Sequence, residues 1–236
     1  MATNRHATYI NQNMFIYVVI SLALPMVGEG AAKTFEDSRS YPNDDGGRRL
    51  TREYHLRQGA LRGLIVKPSR QYDLQYVEMF LGIPYAAAPT GNLRFMPPVS
   101  APPWPAVKMA THFAPVCPQT LPLIKKGNPP SMGRQNYLNK IEPFLDNESE
   151  DCLYLNIYVP YREQKSKKFP VLVFIHGDSF EWSSGNPYDG FMKPSLTEHD
   201  YGNNGLLDQL AALQWIKDNI QDLNGDPNSV CSIGQS

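Results

Sequence analysis

Gly234-Gln235-Ser236 follows an apolar stretch at residues 229–233 and forms the first half of a Gly-x-Ser-x-Gly pattern. In that pattern the serine sits on a sharp turn between a strand and a helix, which exposes its hydroxyl for attack on an acyl carbon. A hydroxyl is a weak nucleophile until a neighbouring base takes its proton, so a histidine and an orienting acid must stand beside it. In the strand-turn-helix arrangement those partners come later in the chain than the serine. None of the five histidines, His6, His55, His112, His176 and His199, follows Ser236. Taken by itself, the chain is therefore expected not to assemble a triad and not to hydrolyse esters. Gly-x-Ser alone is a weak signal, and its place after a strand makes it a moderate one.

The three cysteines offer a different chemistry. Cys117 and Cys152 flank a polar, proline-rich excursion and would close a loop in an oxidising compartment. Such a bridge contributes about 3 kcal/mol, mainly by restricting the unfolded chain. Cys231 lies in the apolar stretch 229–233 and reads as a small buried hydrophobe. No His or Cys pair has metal-ligand spacing, so no metal or other cofactor is expected. Asn147-Glu148-Ser149 is a glycosylation acceptor on the same excursion, where a surface loop is expected.

The N-terminus bears on which compartment applies. Arg5 and His6 precede an apolar run at residues 14–27, and the small residues Gly28, Gly30, Ala31 and Ala32 follow it. This is the layout of a signal peptide, residues 1–30, cleaved between about Gly28 and Ala32. The rival reading is an uncleaved signal anchor, although the run is short for a membrane span and Pro25 interrupts it. Secretion, or display at the cell surface, follows from either. Residues 31–58 are polar and turn-rich, with the densest charge at 33–50, and read as a disordered leader. Residues 59–236 read as one folded region. At 42 % hydrophobic and 19 % charged the chain can bury one sizeable core. A net charge of −1 gives no sign of nucleic acid as a partner.

The elements that would position the serine are legible in outline. Residues 64–66 and 76–81 read as strands, the second ending at the Gly82-Ile83-Pro84-Tyr85 turn. The proline-rich stretch 89–105 offers no regular element. Residues 153–159 alternate as a half-exposed strand does, whereas 171–175 are continuously apolar, as in a strand buried on both faces. The lysines at 165–168 form a solvated loop between them. A helix at 206–222 carries Leu206, Leu210, Leu213, Ile216, Ile220 and Leu223 on one side, capped at Asn203 or Asn204 and ended by Asn224-Gly225. Strand, helix, strand and a glycine turn together indicate an α/β fold.

Several blocks then resemble the carboxylesterase/cholinesterase family. They include Phe80-Leu81-Gly82-Ile83-Pro84-Tyr85-Ala86, Leu93-Arg94-Phe95-Met96-Pro97-Pro98, Glu150-Asp151-Cys152-Leu153-Tyr154-Leu155-Asn156, Val173-Phe174-Ile175-His176-Gly177 and Gly205-Leu206-Leu207-Asp208-Gln209, with Gly225-Asp226-Pro227. The likeness runs from about Gly63 to Ser236. It implies the N-terminal part of an α/β-hydrolase fold, a mixed sheet flanked by helices. It also implies a Cys117–Cys152 disulfide and a partly buried ion pair between Arg94 and Glu150. Within the family, the stretches around Cys117, Asn156 and His176-Gly177-Asp178-Ser179-Phe180-Glu181-Trp182 look most like the neuroligins, the adhesion branch without catalysis. That branch implies a neurexin-like cell-surface receptor, calcium at the interface, and homodimerisation through helices beyond the resemblance.

Two departures from the family pattern bear on activity. Esterases of the family carry a glycine-rich turn after the histidine, so that backbone N–H groups can approach a developing oxyanion. Here Gly177 is followed by Asp178, whose carboxylate has the wrong sign for that place. His176 itself reads as a structural residue under the turn. Ser236 points the other way, because neuroligins usually lack serine there. The second departure is a missing strand: residues 191–204, between Tyr188-Asp189-Gly190 and the helix, hold no β-branched apolar run. Residues 171–175 and 229–233 must then pair across the gap or expose their edges. Three readings result. The first, preferred on sequence, is a non-catalytic, neuroligin-like adhesion fragment; the second is a fragment of a secreted carboxylesterase with Ser236 as nucleophile and Gly177/Asp178 as oxyanion turn. The third, a product of incomplete transcription, is compatible with both.

Overall fold

The apolar run Phe-Pro-Val-Leu-Val-Phe-Ile has no polar side chain to turn towards water, and it takes a central place in the main sheet. The computed structural model describes residues 16–20, 49–67, 75–121, 131–162, 168–177, 182–187 and 203–234. In chain order the strands are β1 (Ile16–Ile20), β2 (Arg49–Leu50), β3 (Tyr54–Leu56), β4 (Gly59–Arg62), β5 (Leu64–Val66), β6 (Val77–Pro84), β7 (Lys108–Met109), β8 (Tyr154–Pro160), β9 (Phe169–Ile175) and β10 (Gly225–Gly234). The helices are α1 (Met132–Ile141) and α2 (Asn203–Asn219). Seven strands form one mixed sheet in the order β10-β9-β1-β8-β6-β5-β2, and β3-β4-β7 form a small second sheet.

Two clusters fill the opposite faces of the main sheet, as strand alternation requires. On one face Leu155, Ile157, Val171 and Val173 pack against Ala212, Trp215, Ile216 and Ile220 of α2. On the other, Met79, Leu81, Tyr158 and Phe174 gather.

Several expectations are corrected here. Strand β8 is buried almost throughout, not half-exposed, and its one buried amide is hydrogen-bonded inside. Asn156 accepts from the Gly82 amide at 3.0 Å and donates to Asn186 Oδ1 at 3.2 Å. Strand β6 does not end at Gly82 but continues to Pro84, with a register shift against β8 between Phe80 and Ile83. Gly82 makes that irregularity with φ +66°, a left-handed conformation that glycine adopts without strain. The ordered body starts ahead of residue 59, since Tyr54 and Leu56 are buried within the segment that composition assigns to the leader. The helix buries the expected face over its C-terminal half, with Ile216, Ile220 and Leu223 fully buried and Leu213 packed on the core, but at its start Leu206 and Leu210 are exposed while Asp208 is buried. Helix α1, within the excursion closed by the two cysteines, was not legible as an element at all.

Residues 171–175 and 229–233, expected either to pair or to expose their edges, do pair. Strands β9 and β10 pair directly and in parallel, with Val171 opposite Val230 and Ile175 opposite Gly234. On its other side β9 pairs in parallel with β1, which in turn pairs antiparallel with β8. Strand β10 has one neighbour among the described strands, and Val230, Cys231 and Ser232 are exposed. Cys231 is thus an exposed edge-strand thiol, not a buried hydrophobe.

Candidate active site

Because Ile175 is registered against Gly234, β9 and β10 finish at the same edge of the sheet. The two segments marked for chemistry, His176-Gly177 and Gly234-Gln235-Ser236, therefore emerge from adjacent parallel strands, about 4.8 Å apart at the strand ends. Sheets of this kind bind ligands beyond the carboxyl ends of their parallel strands. Asp178, Ser179, Gln235 and Ser236 lie outside the described residues, as does the junction at Gly190–Phe191.

His176 is buried at the end of β9, with Nδ1 3.2 Å from the Gly177 carbonyl oxygen. That contact requires a proton on Nδ1, so the imidazole donates to the turn. Burial pushes its pKa down to about 4, only partly offset by the Gly177 carbonyl. Nε2 is buried with no hydrogen-bond partner among the described residues. A ring so reluctant to take a proton is a poor general base at neutral pH. The ring is held neutral beside the Gly177 carbonyl.

The chain is secured again just past the turn. Residues 182–187 are buried, and Gln119 clamps them: its amide nitrogen donates to the Cys117 and Ser183 carbonyls, and its Oε1 accepts from the Ser183 amide. Asn186 donates to the Ala114 carbonyl at 2.9 Å and joins the Asn156–Gly82 network. Trp182 packs edge-on against Tyr137, and the Arg134 guanidinium lies 5.1 Å from its ring centre. Gln119, Asn156, Asn186 and Trp182 were missed as supports in the sequence. Asn156 alone left a signal, an amide in the middle of an otherwise apolar strand.

Cys117 and Cys152 are joined by a disulfide, with their Cα atoms 5.0 Å apart. The bridge ties the start of β8 to the strand-like segment around Val116 and so anchors the base of the Gln119 clamp. Arg94 Nη2 lies 2.7 Å from Glu150 Oε1. Both side chains are more than 40 % exposed, so the pair is more open than the resemblance implies and contributes at most about 1 kcal/mol. Asn147 is exposed, and its carbonyl accepts from the Val116 amide at 2.8 Å. Among the described residues no three potential metal ligands converge, and no helix is long and apolar enough to cross a membrane.

Comparison with known proteins fits this geometry to a family. The carboxylesterase family model matches residues 51–193 and 190–236, two stretches that overlap at 190–193. Liver carboxylesterase 1F of Rattus norvegicus is 40 % identical over 185 residues, covering 69 % of this chain and 32 % of that protein. Carboxylesterase 1E of the same species is 38 % identical over 203 residues, 76 % of this chain and 34 % of the relative. Liver carboxylesterase of Sus scrofa is 38 % identical over 183 residues, 69 % and 31 % respectively. The chain thus spans about a third of the length of the curated relatives it matches. These relatives are named as carboxylesterases, which overturns the expectation of a chain of non-enzyme type, and nothing in the geometry shows the active site to be lost. With its sheet, its disulfide and its paired strand ends accounted for, the chain belongs to the carboxylesterase family.

Proposed function

We propose that this chain carries the nucleophile and oxyanion half of a serine carboxylesterase. The observation that supports it most is the register of Ile175 against Gly234, which sets the residue before His176-Gly177 opposite the residue two positions ahead of Ser236. In this reading the Ser236 hydroxyl attacks the ester carbonyl carbon while a base takes its proton. The carbonyl oxygen becomes negative and accepts hydrogen bonds from backbone amides of the turn after Gly177. Collapse of the adduct expels the alcohol, and water then releases the acid from the acyl-serine. His176 is not that base, being buried and held neutral. The base and its acid partner are assigned to the further length of the longer relatives, in line with the serine-first order of this arrangement.

The neuroligin-like assignment, with its neurexin-type receptor and homodimer, rests on sequence blocks alone, whereas the esterase reading also has the named relatives behind it. Passage through the secretory pathway and glycosylation at Asn147 belong to the same proposal, supported by the disulfide and by the exposure of Asn147.

A fluorophosphonate probe on the longer protein that contains this sequence tests the reading. Covalent labelling at Ser236, abolished in Ser236→Ala and accompanied by hydrolysis of a p-nitrophenyl ester, is the expected result. An unlabelled, correctly folded protein sinks it.

A further inference from the structure

Strands β8 and β9 are consecutive and antiparallel, joined by residues 161–168, yet they do not pair with each other. Neighbours of this kind usually form a direct hairpin. Here they stand one strand apart, and β1 fills the space. Its register is continuous on both sides: Tyr17 to Ile20 face Tyr158 to Leu155, and Ile16 to Ile20 face Val171 to Ile175. Val18 is fully buried in the same cluster as Leu155, Ile157, Val171 and Val173. The segment reads Ile-Tyr-Val-Val-Ile, a β-branched and aromatic composition that suits a central strand. It falls outside both stretches that match the family model, which begin at residue 51.

We propose that the space between β8 and β9 is a strand-binding site, filled in cis by Ile16–Ile20. The site takes an extended, proline-free, β-branched peptide of about five residues, parallel to β9 and antiparallel to β8, in the manner of donated-strand complementation. Both of its walls are buried, so an empty site leaves the facing N–H and C=O groups of β8 and β9 without water or partner. The apolar segment thereby acquires two mutually exclusive uses, as the core of a targeting sequence or as the middle strand of the body. This proposal rests on strand register alone and is independent of the esterase reading.

Hydrogen exchange on the full chain, folded with its disulfide formed, provides the test. Amides of residues 17–20 are expected to exchange at least a hundredfold more slowly than in a free peptide of residues 14–22. In Val18→Asp, protection at residues 171–175 is expected to fall at least tenfold while residues 59–66 keep theirs. Unprotected 17–20 amides in the intact chain, or unchanged 171–175 protection in the variant, overturn the proposal; the second result means that β8 and β9 have closed on each other. Should Val18→Asp fail to fold, a protease site inserted between Asp45 and Gly46 of the full chain decides the matter. After cleavage of the folded protein, the N-terminal piece is expected to co-elute with the body or to leave with loss of 171–175 protection. Departure with that protection unchanged refutes the site.

Discussion

His176 shows how a residue typical of catalysis is turned into a support. Its folded pKa of about 4, against an ordinary 6.5, means that the folded state favours the neutral ring. For a base whose folded pKa is depressed, this contribution is complete above pH 6.5 and disappears as pH falls towards 4, when the unfolded chain gains a proton that the native site refuses. The difference corresponds to roughly 3 kcal/mol. Urea titrations of the wild type at pH 7 and pH 4.5 are expected to show this loss, and His176→Leu to show a distinctly smaller one. Parallel losses in the two proteins would remove the assignment. Gly82 carries the second prediction at this scale. A Cβ there would lie 2.8 Å from the His112 carbonyl oxygen, on a backbone of φ +66°. Gly82→Ala is expected to destabilise by about 1–3 kcal/mol, read as a lower denaturation midpoint. Of the residues that form the site, the Gly-x-Ser and His-Gly turns were legible because each has a local pattern. Gln119 and Asn186 were not, since an amide that clamps a distant backbone leaves no spacing behind it.

At the scale of elements, the sequence served well where one periodicity acts alone and poorly where burial comes from two sides. The run 171–175 is a strand, as its unbroken apolarity requires. Residues 153–159 were misjudged because Asn156 and Tyr158 look like a solvent-facing row, although Asn156 makes its hydrogen bonds inside. The α2 stripe departs only in its first turns: Asp208 is buried near Tyr85, whose hydroxyl is pushed well up by burial and by that carboxylate. That buried carboxylate accompanies the exposure of Leu206 and Leu210, whereas Ile216, Ile220 and Leu223 lie buried where simple counting places them. The excursion from Cys117 to Cys152 is also an element in its own right, with Val116, Ile141, Leu145 and Trp182 forming a small cluster beneath it. Closing a loop with a sequence separation of 35 is worth about 3–4 kcal/mol. The double variant Cys117→Ala/Cys152→Ala is expected to lose that amount in chemical denaturation and to lose protection at residues 182–187 first. A loss spread evenly over the molecule would show that the bridge does not anchor the clamp.

For the whole molecule, the α/β architecture and the join between β9 and β10 were within reach of sequence reasoning, because each strand announces itself. The identity of the strand beside β9 was not. A hydrophobic segment of Ile, Tyr and Val is equally suited to a translocon and to a sheet, and composition cannot separate the two environments. The small sheet of β3, β4 and β7 was equally opaque, since strands of two to four residues fall below any detectable period.

The chain is pinned at His176, again at Trp182, and only four positions separate Gly177 from that second anchor. The disulfide, the amide clamp and the pairing of β9 with β10 are each made by described residues outside those four positions. The end of the sheet is thus tied to the disulfide-closed excursion through contacts that span the chain far beyond the local sequence.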